Sequence, residues 1–472
     1  MLVAGRVAGR APPDVTSSPL QIVVMAAGQG KRMRSSLPKA LHPLAGKPLV
    51  AHVLAAARAV APRALCVVVG HGGDAVRRAL AVPDLVFVTQ DPPRGTGDAV
   101  RIALAALPGD GVTVVANGDC PLISAATLAA IAAIAGSGRL ALLTARVADP
   151  AGLGRIVRDD AGGVRAIVED RDAGDAERAI DEIYTGVLAA PTAKLAEWVA
   201  ALTDDNAQRE FYLTDVVRLA RAAGVPVAAH VAASEEEVLG VNDHAQLAAL
   251  ERIVQRRQAQ ALLASGTAIA DPARFDLRGS LACGRDVRID VGCVFEGAVV
   301  LADDVSVGAH CVLKDVAVGA GTRIAPFSHL DGAAVGPDCR IGPFARLRPG
   351  AALGADVHIG NFVEVKASTL GQGSKANHLA YIGDSVVGSR VNVGAGTITA
   401  NYDGANKHRT TIGDGASIGS NCVLVAPVTV GDGATIGAGS VVSADAPPGT
   451  LTVARARQTS IPGWQRPVKK DK

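Results

Sequence analysis

The chain has 472 residues, 49% of them hydrophobic, which exceeds what one core usually organises and leaves enough apolar material for two. A formal charge of +2 over that length excludes a nucleic-acid protein with a broad basic surface, so any anion is met locally. The cysteines (Cys66, Cys120, Cys283, Cys293, Cys311, Cys339 and Cys422) form no CxxC pair and no ligand cluster with histidine. They read as reduced thiols of a cytoplasmic protein, and no purely apolar run is long enough to predict a membrane span.

Residues 1–18 carry Arg6 and Arg10, but Pro12 and Pro13 stand where a signal peptide needs its apolar core; a disordered leader is expected. From Leu20, short apolar runs at Ile22 to Met25, Leu65 to Val69, Leu85 to Val88 and Val112 to Val115 alternate with Ala-rich stretches of helical composition. That alternation predicts βαβ units, and hence an α/β domain with a mostly parallel sheet over 19–245. Gln246 to Ser265 has no glycine until Gly266, which predicts a linking helix over 246–266. Beyond it, apolar residues recur at a spacing of six in two unbroken runs: Val335, Ile341, Leu347, Leu353, Ile359, Val365, and then Ile412, Ile418, Leu424, Val430, Ile436, Val442. A helix needs a period near 3.6 and an ordinary strand a period of 2, so a period of six predicts a prism of short parallel strands. The glycine that follows most of these residues is expected to supply a turn conformation. Repeats are recognisable from about Val287; the prism domain is placed over 267–472, with a loose tail from Pro447 through Lys469, Lys470 and Lys472.

Chemistry concentrates at a few points. After the first strand comes Met25-Ala-Ala-Gly-Gln-Gly-Lys-Arg-Met33, followed by Leu37-Pro-Lys39. Gly28 and Gly30 let backbone N–H groups approach phosphate, while Arg32 and Lys39 add charge, although a tight turn explains the same glycines. Asp119, ending the Val-Val strand, is placed as a metal carboxylate should be, and equally as a surface aspartate. In the repeat half, Gly394 to Lys407 interrupts the register with Asn401, Tyr402, Asp403 and Lys407, where an inert insertion is the blander reading. His378, in Asn377-His378-Leu-Ala-Tyr381, departs from the hexad pattern; a lone histidine is more often structural than catalytic.

The first segment resembles the signature of sugar-nucleotide pyrophosphorylases, and Gln90, Gly95-Thr96-Gly97, Asn117-Gly-Asp119, Gly154-Arg155, Val168-Glu169 and Gly240-Val-Asn242 follow in that family's order. With the repeats attached, residues 20–467 resemble the bacterial bifunctional N-acetylglucosamine-1-phosphate uridyltransferase/glucosamine-1-phosphate N-acetyltransferase family. The resemblance implies a Rossmann-like nucleotidyltransferase domain followed by a left-handed parallel β-helix of hexapeptide repeats. It implies that Ala26, Ala27, Gly28, Gln90, Gly95 and Thr96 hold UTP, with Gln90 pairing with uracil. Arg32 and Lys39 would balance phosphate charge, Gly154, Glu169 and Tyr184 stand at sugar positions, and Asp119 with Asn242 would hold Mg²⁺. In the other half, His378 matches the general base that takes a proton from the amine of glucosamine-1-phosphate as it attacks acetyl-CoA, with Glu364 orienting it. Arg348 and Lys366 match a phosphate clamp, Tyr381 and Asn392 match sugar contacts, and Ala395, Asn401, Tyr402, Ser420, Ala438 and Arg455 match acetyl-CoA positions. A cytoplasmic homotrimer acting on small molecules, with neither nucleic acid nor membrane as partner, is implied as well.

The chain departs from the family pattern at Tyr184, in place of Asn, at Asp98, in place of His, and at Asn117. These departures are expected around the sugar, where the pocket tolerates them, accepts a different sugar, or works poorly. Two other readings remain: an acetyltransferase whose uridylyl half is impaired or retuned, and a non-catalytic regulatory or assembly subunit of the same architecture.

Overall fold

The computed structural model describes residues 18–28 and 30–469; apart from Ser18, the expected leader lies outside them. The chain divides into two compact units between Ile253 and Val254, within the helix His244–Ala264.

In the first unit, strands Leu20–Ala26, Ala64–Val69, Leu85–Thr89 and Val112–Asn117 pair in parallel. Glu182–Pro191 runs antiparallel between Val112–Asn117 and Leu140–Arg146, and Val227–Val231 closes that edge in parallel. The runs read as continuously apolar because both faces are covered. Ile22, Val24, Val67 and Val114 face the helices Leu49–Ala59 and Ala125–Gly136, while Val23, Val68 and Val115 face Thr96–Ala105 and Thr192–Ala200. Each such side chain, fully buried, contributes about 1.5–3 kcal/mol. Strand Leu20–Ala26 lies between Ala64–Val69 and Val112–Asn117, so the chain leaves it in one direction and returns on its other side. That switch opens a crevice at the carboxyl edge of the sheet.

In the second unit, three ladders of parallel strands form a prism. One runs from Ala268–Ile269 to Leu451–Thr452, and the other two belong to a sheet folded around the remaining faces. Ile412, Ile418 and Leu424 sit on successive faces, and each is stacked under its equivalent one coil on: Val430, Ile436 and Val442. Every residue of the two hexad runs is at most 6% exposed, so the period of six is the inward face of the coil.

Four details differ from expectation. The stack begins at Ala268–Ile269, before Val287, because the first coils fill the axis with Phe275, Leu277, Cys293 and Phe295 and so lack the Ile/Val/Leu-Gly hexad. The tail still supplies Leu451–Thr452, paired with Thr435–Ile436. Of the glycines after the apolar residues only Gly342, at φ +93°, supplies a left-handed turn; the others are needed for close approach, since a Cβ on Gly360 would lie 2.0 Å from Asn377 O, and one on Gly419 2.5 Å from Ala438 N. The left-handed corners fall two or three residues later, at Asp338, Phe344, Asp356 and Phe362. Finally, the prism continues through Ile398–Ala400, which pairs with Val423–Val425, so the excursion covers only 401–409. Thr397 and Thr399 look polar in sequence, but both are 1% exposed and hydrogen-bonded within the prism.

Candidate active sites

At the carboxyl edge of the first sheet lies a cavity of about 510 Å³, lined by Ala26, Ala27, Gly28, Lys31, Lys39, Gln90, Gly95, Thr96, Asn117 and Asp119 among others. Gly28 needs its hydrogen for nothing in the protein, since a Cβ there would meet no atom within 4 Å; the freedom it leaves is on the cavity side. Gly30, at φ +60°, turns the loop so closely over Lys39 that a Cβ would come within 2.8 Å of the lysine Cβ. Lys39 is thereby aimed at two oxygens. Its ammonium bonds Asp119 Oδ2 and, at 2.9 Å, Asn242 Oδ1, and Val241 N donates to Asp119 O at 3.0 Å to hold the two segments together. The structure therefore gathers Lys39, Asp119 and Asn242, which lie far apart in sequence.

Arg32 is not part of this group. It is exposed on the one-turn helix Lys31–Met33, and Lys31 takes the cavity position instead. Nothing in the sequence separates these adjacent cations, because only the phase of that turn decides which faces inward.

A second cavity of about 220 Å³ shares Met25, Thr96 and Asn117 with the first and adds Gly154, Glu169, Tyr184, Gly186 and Thr214. Glu169 Oε1 accepts from Thr214 Oγ1 at 3.0 Å. Burial pushes its carboxyl above the usual range, and the nearby Asp172, Asp215 and Asp170 add to the rise. The Tyr184 hydroxyl is buried beside Glu169 and has no hydrogen-bond partner among the described residues. Asn117 stands at the junction of the two cavities, and its amide is where a Cβ on Gly186 would fall, at 2.0 Å. Asp98 corrects the expectation that all three departures surround the sugar: it lies behind Gln90, a residue that lines the larger cavity only. Burial alone would raise the Asp98 carboxyl, but bonds from Gln90 and Arg101 and the charges of Arg94 and Arg101 outweigh it and hold it below the usual range.

In the prism, Arg348, Lys366 and Tyr381 stand on neighbouring coils of one sheet. Arg348 bonds Glu364 at 2.8 Å and Lys366 bonds Asp384 at 3.0 Å. Glu364 is thus committed to arginine and does not orient His378; that task falls to Asn361, whose Oδ1 lies 2.9 Å from the histidine Nδ1. Lys407 reaches over from the excursion, and the neighbouring Lys366 lowers its pKa. Two lysines and an arginine crowded over two carboxylates form a cluster that an added dianion would relieve. Asn401, 8% exposed, donates to Asp384 and, at 3.4 Å, to Tyr381 Oη.

Asn361 pairs with His378 in register, and the same register places Ala395, Ser420 and Ala438 on the following coils of that corner. Arg455 closes the column by donating to Ala438 O at 2.7 Å. Asn392 is on the other sheet, opposite Lys375, and is not gathered with Arg348, Lys366 and Tyr381 within one chain. Tyr402 projects from the excursion at 60% exposure. The motifs of the sequence assign no role to Asn361, Asp384 or Lys31. Only Asn361 carried a signal, from its place in Asn361-Phe-Val-Glu364.

Comparison with known proteins agrees with this division. Residues 22–270 match the MobA-like NTP transferase domain, 277–361 the GMPPB C-terminal domain, and 409–444 the bacterial transferase hexapeptide repeats. The chain is 58% identical over 453 residues to the bifunctional protein GlmU of Ralstonia pickettii (strain 12J), covering 96% of this chain and all of that one. The corresponding protein of Methylibium petroleiphilum is 60% identical over 458 residues, again 96% of this chain and all of the other. That of Chromobacterium violaceum is 56% identical over 451 residues, 96% of this chain and 99% of the other. With both halves matched over 96% of its length, the chain belongs to the bifunctional GlmU family, the uridyltransferase/acetyltransferases its motifs resemble.

Proposed function

We propose that the two units make UDP-N-acetylglucosamine in sequence: the prism acetylates glucosamine-1-phosphate from acetyl-CoA, and the first unit then joins the product to UTP, releasing pyrophosphate. The observation that carries the uridylyl step is the convergence of Lys39, Asp119 and Asn242 beside the larger cavity. An acidic and an amide oxygen aimed at one ammonium form a place for a hard cation, and they fit Mg²⁺. Bound there, Mg²⁺ would offset charge on the nucleotide phosphates. The chain's own part is positional. Gln90, Gly95 and Thr96 hold the base end, Ala26 to Gly28 present backbone to the phosphates, and Lys31 and Lys39 supply positive charge. Gly154, Glu169 and Tyr184 frame the sugar in the adjoining cavity, so its phosphate oxygen faces the α-phosphorus across the seam at Asn117. In-line displacement there needs no covalent nucleophile.

For acetylation, Asn361 accepts from His378 Nδ1–H, which leaves Nε2 free to take the amine proton. Arg348, Lys366 and Lys407 hold the sugar phosphate, and the column Ala395, Ser420, Ala438 and Arg455 lines the acetyl-CoA path with Asn401 and Tyr402. In a single chain this column stands on an open corner. Beside it runs an exposed stack of Phe327, Phe344 and Phe362 with ring centroids 5.1 and 5.4 Å apart. Both features support a homotrimer in which neighbouring prisms, and with them Asn392, complete the site. Seven free thiols fit a reducing cytoplasm, and no helix among the described residues is long and apolar enough to cross a membrane.

The test pairs two assays on the purified protein: pyrophosphate release from UTP with a panel of sugar-1-phosphates, with and without Mg²⁺, and thiol release from acetyl-CoA with glucosamine-1-phosphate. Pyrophosphate release with N-acetylglucosamine-1-phosphate only when Mg²⁺ is present, together with thiol release, is expected. Thiol release alone would favour the impaired-half reading, and neither activity the non-catalytic one.

A further inference from the structure

Gln90 is 5% exposed, yet its side chain lines the larger cavity. A glutamine amide can show a base either an acceptor or a donor, and which one it shows depends on what holds its other end. Here the Nε2 group is fully committed: it donates to Gly95 O at 2.9 Å and to Asp98 Oδ2 at 3.0 Å. Both partners are acceptors, which settles which end is nitrogen. Oε1 is left, with no partner among the described residues, as the atom offered to the cavity.

Asp98 is itself fixed. It is 2% exposed, its Oδ1 receives Arg101, and its Oδ2 lies 3.8 Å from Arg94 Nε. Arg101 in turn lies over the Phe211 ring, and Phe211 O accepts from Gly97 N at 2.8 Å. An ionised carboxylate has no proton to give, so it accepts the amide N–H₂ and cannot accommodate the flipped amide.

We infer that Asp98 is a positioning residue for nucleobase choice, holding Gln90 so that it presents only an acceptor and reads the N3–H of uracil. Cytosine carries a lone pair at N3, which would face Gln90 Oε1 unpaired. The inference rests on the reading of this cavity as a nucleotide site and adds what selects the base.

The experiment measures kcat/KM for UTP and for CTP in pyrophosphate release, and their binding by calorimetry without sugar, for wild type, Asp98→Leu and Asp98→Asn. Leucine keeps the shape and removes the acceptor, whereas asparagine can turn to offer either group. The preference for UTP over CTP is expected to fall roughly tenfold or more in Asp98→Leu, with Asp98→Asn between it and wild type. Binding should follow the same order, while a thermal transition of the first unit like that of wild type reports that this unit is folded. A parallel loss for both nucleotides at constant ratio would mark Asp98 as merely structural and overturn the inference. Wild type that does not prefer UTP overturns both this inference and the uridylyl reading; wild type that prefers it, with variants of unchanged ratio, overturns this inference alone.

Discussion

The Tyr184 hydroxyl lies buried in the smaller cavity without a partner among the described residues. An unpaired buried hydroxyl costs about 1–3 kcal/mol, and a hydroxyl of the bound sugar would remove that cost. Tyr184→Phe should therefore leave the melting temperature unchanged or raise it, while lowering kcat/KM for N-acetylglucosamine-1-phosphate by about tenfold. Unaltered kinetics would mean that the ring alone shapes the pocket. The histidine of the prism permits a sharper test. His378→Ala should cut acetylation of glucosamine-1-phosphate by roughly 10²–10⁴-fold and leave uridylyl transfer intact. Asn361→Ala should cost less, since it frees the ring to turn without removing it. If His378→Ala abolished both activities, the residue would be structural.

At the scale of elements, the prism depends on backbones that almost touch. A Cβ on Gly360 would lie 2.0 Å from Asn377 O, so Gly360→Ala must push two coils apart next to His378. Overpacking of this kind costs about 1–3 kcal/mol. The prism's melting temperature should fall by about 2–4 °C for each kcal/mol, as followed by far-UV circular dichroism, with uridylyl transfer at ambient temperature unchanged. A variant that melts like wild type would show that the coils have slack there. The period of six was legible because every coil must present an apolar residue at the same point of its turn, and the first sheet was legible because burial on both faces leaves unbroken apolar runs. Coils that break the pattern with Phe275 and Phe295, or that bury Thr397 and Thr399 by hydrogen-bonding them inside, leave no such trace. The site was legible wherever a motif fixes the backbone, as at Gly28 to Lys39. It was not legible where one residue's rotation decides: Lys31 rather than Arg32 faces the cavity, Asp98 backs Gln90 rather than the sugar, and Glu364 serves Arg348 rather than His378.

For the molecule as a whole, the prism is a one-dimensional stack in which each coil touches only its neighbours, so its ends are held from one side. The column Asn361, His378, Ala395, Ser420, Ala438 runs toward one of those ends and is closed by Arg455, in the exposed segment after the last paired strand, Leu451–Thr452. On heating, that end should unzip before the middle. Half-inactivation of acetyl transfer is therefore expected several degrees below the dichroism midpoint, and acetyl-CoA at a hundred times its Kd should oppose the unzipping by about 2.7 kcal/mol and close the gap. Coincident midpoints with and without acetyl-CoA would count against a fraying end. On the proposed reading a cosubstrate that bridges the last coils would act on the enzyme as a clasp, so that the acetyl-CoA concentration around it would govern how long the site survives as well as how fast it turns over.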